Sequence, residues 1–115
     1  MERKLRLSHY FDIQRVRQNG KSFAHPLFVL ITLRDEKLDH PLIGVIASKS
    51  VGGAVERVRA KRVLRAAADS LLPNIDPKTM VLLIARKRVL EHDANEVCEV
   101  LEGQLKKAAI YRADE

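Results

Sequence analysis

Apolar residues recur along this chain with two different periods, and the change of period divides it into elements. From Ser8 to about Gln18, Phe11, Ile13 and Val16 recur at helical spacing. Ser8 is placed to cap this helix and Asn19-Gly20 to stop it. Ser22 to Leu33 is rich in Phe, Val, Leu and Ile and reads as strand; Pro26 within it implies an edge position or a break. Arg34 to Pro41 is a charged loop, and Leu42 to Lys49 is a second strand. Gly52-Gly53 turns the chain into a long helix ending near Leu72, with Glu56 in its first turn, where the helix dipole favours a carboxylate. Pro73 and Pro77 hold the next segment in a loop. Thr79 to Arg86 is nearly all apolar, the mark of a central strand covered on both faces. A last helix starts near Asp93, which has capping-box spacing to Glu96. Ala94, Val97, Cys98, Leu101, Leu105 and Ala108 form its apolar stripe, and Lys106 and Lys107 complement its C-terminal end. The order α-β-β-α-β-α predicts an α+β fold, one sheet carrying helices.

The long helix carries the most information. Arg57, Arg59, Lys61, Arg62 and Arg65 fall within nine residues, directly after the glycine turn. At about 100° per residue, Lys61, Arg65, Arg62 and Arg59 span an arc of roughly 160°. Ala60, Val63, Leu64, Ala67 and Leu71 fall on the opposite arc, and Arg57 lies between the two. This predicts an amphipathic helix with an apolar face for a core and a cationic face for an anion. A solvated charged face is the plain alternative. Against it, the segment Arg57 to Arg65 is single-signed and contains no carboxylate. Arginine, the better bidentate phosphate ligand, outnumbers lysine there. Backbone amides at the Gly52-Gly53 turn could add to a phosphate site.

The bulk numbers agree with this. At 115 residues the chain fits a single domain and can bury a core. With 46% hydrophobic but only 4% aromatic residues, that core must be aliphatic. A net charge of +6 favours an anionic partner and makes the cationic face repel itself in its absence. Cys98 is the only cysteine, so no intrachain disulfide or cysteine zinc cluster forms, and a reducing compartment such as the cytoplasm fits. Met1 to Ser8 is charged and lacks the apolar run of a signal peptide, and no stretch is long and apolar enough for a membrane span.

Catalytic patterns are missing. His9, His25, His40 and His92 are scattered without metal-ligand spacing and read as exposed residues in or beside loops. The glycine pair lacks P-loop spacing, no nucleophile elbow occurs, and carboxylates do not cluster. Cys98, on an apolar stripe, reads as core. The residues predict binding without protein-based catalysis.

At the basic helix the chain resembles the protein subunit of bacterial ribonuclease P. That family carries R-N-R-x-K-R-x-x-R after a strand, S-K and a G-x-A-V turn. Ser48-Lys49, Val51 to Val55, Arg57, Arg59, Lys61-Arg62 and Arg65 match it. Arg6-Leu7, Phe11, Gly20, Phe28-Val29, Gly44 and Ile84 to Lys87 match weaker landmarks in order. Val58 stands where the family has Asn, Ser50 where a second Lys is frequent, Arg17 where an aromatic is frequent, and Ala68 where Phe is frequent.

The resemblance implies a two-layer α/β sandwich related to a ribosomal-protein domain, with a left-handed β-α-β crossover around the basic helix. It implies a single RNA-binding domain over residues 1–115. It implies an RNA-based enzyme that removes the 5′ leader of precursor tRNA, with the chemistry and its Mg²⁺ belonging to the RNA subunit. Lys49, Gly52, Gly53, Arg57, Val58, Arg59, Lys61, Arg62 and Arg65 would face ribonuclease P RNA. Phosphate or sulfate could occupy the same face. Phe11, Arg17 and Phe28 are candidates for a leader cleft between the first helix and the sheet; Phe11 reads equally well as a core residue. A general RNA-binding or ribosome-associated module is the alternative.

Overall fold

The computed structural model describes residues 3–112, so the ends of the predicted domain, 1–2 and 113–115, lie outside it. The elements are α1 (Tyr10–Asn19), β1 (Lys21–Ala24), β2 (Phe28–Arg34), β3 (Leu42–Ile46), α2 (Ala54–Leu71), β4 (Thr79–Ala85) and α3 (Ala94–Lys107). The first predicted strand is a hairpin that breaks at Pro26. His25 N–H and Phe28 O close it at 3.0 Å, and β1 is the short, solvated edge strand. The sheet order is β1-β2-β4-β3, with β2 antiparallel to β4 and β3 parallel to it. The all-apolar β4 is central, as its composition predicts.

Strand residues alternate between two faces. Phe28, Leu30, Ile43, Val45, Val81, Leu83 and Ala85 share a core with α2 and α3. Ile31, Met80 and Leu82 share the other core with Leu7 and Val16. The sandwich of sheet and α2/α3 thus carries α1 across its outer face. α3 begins with both hydrogen bonds of the capping box between Asp93 and Glu96.

One sequence expectation for α1 is corrected and one is met. His9, not Ser8, precedes the helix, and no side chain caps it. Gly20 stops it as expected, with extended backbone at φ −77°. What requires glycine is closeness. A Cβ there would stand 2.5 Å from Val16 O, 2.7 Å from Ile31 Cγ2 and 2.8 Å from Thr32 O. Helix end and strand β2 touch through this glycine.

At the end of the sheet where β4 begins, charges are paired. Asp76 accepts from Lys78 N–H at 2.9 Å and Arg34 Nη1 at 3.2 Å, and Arg112 Nη2 lies 3.7 Å away. Arg15 of α1 donates to Asp35 at 2.9 Å. The Lys78 amide, then Arg112 and Arg34, hold the Asp76 carboxyl below its ordinary range, against its partial burial.

Two outcomes follow from this packing. Gly20→Ala lowers stability by about 1–3 kcal/mol, read by thermal unfolding, because two backbone segments must part. Asp76→Asn costs about 1–2 kcal/mol near neutral pH. Because the folded-state pKa is depressed, the contribution of Asp76 exists above the ordinary carboxylate range and fades as pH falls through the depressed one. Melting curves of the two proteins should therefore converge in acid and stay apart at neutral pH.

Candidate nucleic-acid interface

Parallel strands cannot be joined by a tight turn, so the chain must cross the sheet between β3 and β4. α2 makes that crossing and runs antiparallel to both strands. Its first half therefore lies at the end where β3 and β4 finish. The segment after β4, Arg86 to Arg88, emerges at the same end, and so does the loop carrying Lys49.

α2 buries Ala60, Leu64, Ala67, Ala68 and Leu71. Ala68, which the apolar arc leaves out, completes this stripe. Arg59 and Arg62 are exposed on the crown of the helix, whereas Arg57, Lys61 and Arg65 are half-buried and form a rib along one flank. The cationic arc is thus two groups. None of these five, nor Lys49, Arg86 or Lys87, is in an ion pair among the described residues. Arg88 alone of this group has a partner, Glu91 at 3.6 Å. Arg59, Lys87 and Arg88 line one groove with Leu90 and Glu91. Elsewhere Arg15, Arg34 and Arg112 all meet carboxylates.

The glycine turn departs from the expected amide cradle. Val51 is fully buried and anchors it. Gly52 has φ +149°, which glycine adopts readily. Its N–H is already bonded to Lys49 O at 3.2 Å. The Glu56 side chain folds back over the turn, with Oε2 3.3 Å from where a Cβ on Gly53 would stand. A carboxylate therefore occupies the space that an anion at this turn would need. Lys49 itself is exposed at the loop tip, and Val58 is 43% exposed on the helix crown.

On the other face, Val29, Ile84 and Ile46 are cross-strand neighbours on β2, β4 and β3, and all three are half-buried. Arg15 of α1 reaches Met80 Sδ at 3.6 Å and Asp35, so it marks one flank of that helix. Residues about 200° around the helix mark the opposite flank, which overlooks the open apolar row. Those residues are Ile13, Arg17 and Tyr10. Arg17 is exposed there.

Phe28 is a correction. It is fully buried in the α2/α3 core and stacks on His25 at 5.6 Å, so it faces away from α1. Its neighbour Val29 faces the cleft. Phe11 is a correction to the core alternative: it is 84% exposed, on the outer side of α1, with Tyr10 edge-on at 5.7 Å. Tyr10 on α1 and the open row of Val29, Ile84 and Ile46 were not singled out in the sequence.

Of the histidines only His9 is exposed; His25, His40 and His92 are half-buried. His25 Nδ1 accepts the Leu27 N–H at 3.1 Å, and partial burial, then Lys107, lower its pKa. Cys98 is half-buried, and burial, then Glu102 and Glu99, push its thiol up, away from the reactive thiolate. Among the described residues no three His, Cys, Asp or Glu side chains are grouped to hold a metal ion. No helix among them is long and apolar enough to cross a membrane.

A sheet that displays an unpaired arginine-rich helix defines a polyanion-binding α+β protein. The comparisons make this specific. The family model Ribonuclease P matches residues 1–109. The ribonuclease P protein component of Listeria innocua is 38% identical over 112 residues, covering 97% of this chain and 94% of the relative. The solved RNase P protein of Staphylococcus aureus superimposes with TM-score 0.82 at 29% identity, covering 94% of this chain and 98% of that one. The Thermotoga maritima RNase P protein gives 0.77 at 25% identity, covering 89% and 96%. The chain belongs to the ribonuclease P protein family. Its membership makes it an RNA-binding component of a ribonucleoprotein nuclease that processes tRNA.

Sulfate or pyrophosphate should raise the melting temperature by binding the native cationic surface. Saturation at a hundred times Kd corresponds to about 2.7 kcal/mol. The control is chloride at matched ionic strength. An equal response to chloride would deny a preformed anion-binding face.

Proposed function

We propose that this chain binds the catalytic RNA of ribonuclease P through α2 and its neighbouring loops, and the 5′ leader of precursor tRNA along the cleft beside α1. It thereby assists endonucleolytic removal of the leader, in the cytoplasm. The observation that carries this is the concentration of unpaired cations at one end of the sheet. Among the described residues these cations have no carboxylate partner, whereas Arg15, Arg34 and Arg112 at the opposite end of the sheet have one, which favours phosphate as the missing partner.

The roles follow from the chemistry. Arg59 and Arg62, exposed on the crown, meet RNA phosphates first. Arg57, Lys61 and Arg65 hold the flank, and Lys49, Arg86 and Lys87 extend the surface. The apolar row Val29–Ile84–Ile46 offers nucleoside faces a floor, with Tyr10 and Arg17 as one wall, as aromatic and guanidinium planes do for single strands. The RNA subunit carries the cleavage chemistry. The Mg²⁺ ions expected with it belong, on this reading, to the RNA subunit.

The test is precursor-tRNA cleavage by a bacterial ribonuclease P RNA at low magnesium, with and without this protein. Stimulation by the unaltered chain, reduced at least tenfold by joint Arg57→Ala and Arg62→Ala substitution, is expected. RNA binding without stimulation would instead mark a general RNA-binding module.

A further inference from the structure

The large apolar side chains that stand exposed among the described residues come in two pairs. Tyr10 and Phe11 belong to α1. Val55 and Val58 sit on α2, amid the cations, and are 78% and 43% exposed. Three residues apart, they share one side of the helix. Together with Ala54, Arg59 and Arg62 they line a shallow depression of about 390 Å³. Its floor is mostly hydrocarbon, and two guanidinium groups without ion pairs stand at its rim.

Neither the core nor the helix calls for these valines. They do not pack against the sheet, and β-branched residues are weaker helix formers than Ala, Lys or Arg. Their methyl groups cannot bind phosphate. An apolar floor beside unpaired guanidinium groups fits a ligand that has an uncharged face joined to an anion. An unpaired nucleoside in an RNA strand is such a ligand. Its base or ribose would lie on the valine methyls, a guanidinium plane would stack on it, and the adjoining phosphate would meet the second arginine. A second copy of this chain fits badly, because a two-fold contact would set Arg59 and Arg62 against Arg59 and Arg62.

We propose that Val55, Val58, Arg59 and Arg62 form a site for one unpaired nucleoside of the RNA partner. This rests on the reading that α2 meets RNA, and deepens it by adding an uncharged contact to an electrostatic surface.

Salt dependence separates the two kinds of contact, because only phosphate contacts release counterions. The experiment measures affinity for a bacterial ribonuclease P RNA over a salt series for the unaltered protein, Val55→Ser/Val58→Ser, Val58→Leu and Arg62→Gln. The double serine variant is expected to bind about tenfold more weakly at every salt concentration, with the slope unchanged. Val58→Leu keeps the affinity. Arg62→Gln lowers the slope by about one. Circular dichroism melts confirm that each exposed substitution leaves the fold intact. Unchanged affinity of the double serine variant sinks the nucleoside site while leaving the RNA surface standing. So does an equal affinity loss in Val58→Leu, or a change in oligomeric state on sedimentation. No RNA binding by the unaltered protein would remove the RNA reading and this site together.

Discussion

The parallel pairing of β3 with β4 is the constraint on which the rest of this structure depends. Their registered backbone hydrogen bonds place two strands side by side in the same direction, from Leu42↔Met80 to Ile46↔Ile84. The link between them has to return along the whole sheet, and only a long helix does so without leaving backbone polar groups unsatisfied. That helix must bury one stripe against the sheet, which α2 does with Ala60, Leu64, Ala67 and Leu71. Its other sides are then free for any residue that keeps the helix. The cations use that freedom, and their position is inherited from the strand pairing.

The charge distribution is polarised along the same direction. Around the start of β4, Asp76 ties Arg34, Arg112 and the Lys78 amide together, and Asp35 takes Arg15. Around its finish, Arg57 to Arg65 and Arg86–Lys87 have no such partners among the described residues. Exposed ion pairs contribute little stability singly, so the paired end is not what holds the fold. The aliphatic cores on both faces of the sheet do that. Their burial offsets the mutual repulsion of the unpaired end, which water and salt already screen. The cationic surface is therefore carried by the fold and does not build it.

Much of this was legible in the sequence wherever a local period or spacing decides the structure. The capping box of Asp93 and Glu96, the break at Pro26, the central position of the apolar run Thr79–Ala85 and the buried arc of α2 are all of that kind. What was not legible depends on which way an element faces. Phe28 and Val29 are adjacent in a strand, and a shift of one residue exchanges core for cleft. Nothing in the segment FVLITLR says which set meets α1, because both faces are apolar. Phe11 has the composition of a core residue, yet the orientation of α1 is set by Val16 against Ile31, and that leaves Phe11 outside. Similarly, Gly52-Gly53 suggests free amides, but the turn consumes one of them and Glu56 leans over the rest. The carboxylate that reads as a helix-dipole partner also covers the turn.

The placement of the two candidate surfaces constrains how RNA meets this protein on the proposed function. α2 and the cleft beside α1 lie on opposite faces of one sheet, but both open toward the end where β3 and β4 finish. Between them run the loop with Lys49, the β1–β2 turn and the segment Arg86–Lys87–Arg88. A packed layer is about 10 Å thick, comparable to the Debye length near physiological salt. Phosphates on one face are therefore felt by cations on the rim and, more weakly, by those on the other face. Two RNA elements that approach from opposite sides repel each other, and the rim cations screen that repulsion where it is strongest. The unpaired end of the sheet is thus where the two candidate surfaces come nearest each other and where phosphates on both faces would be screened together.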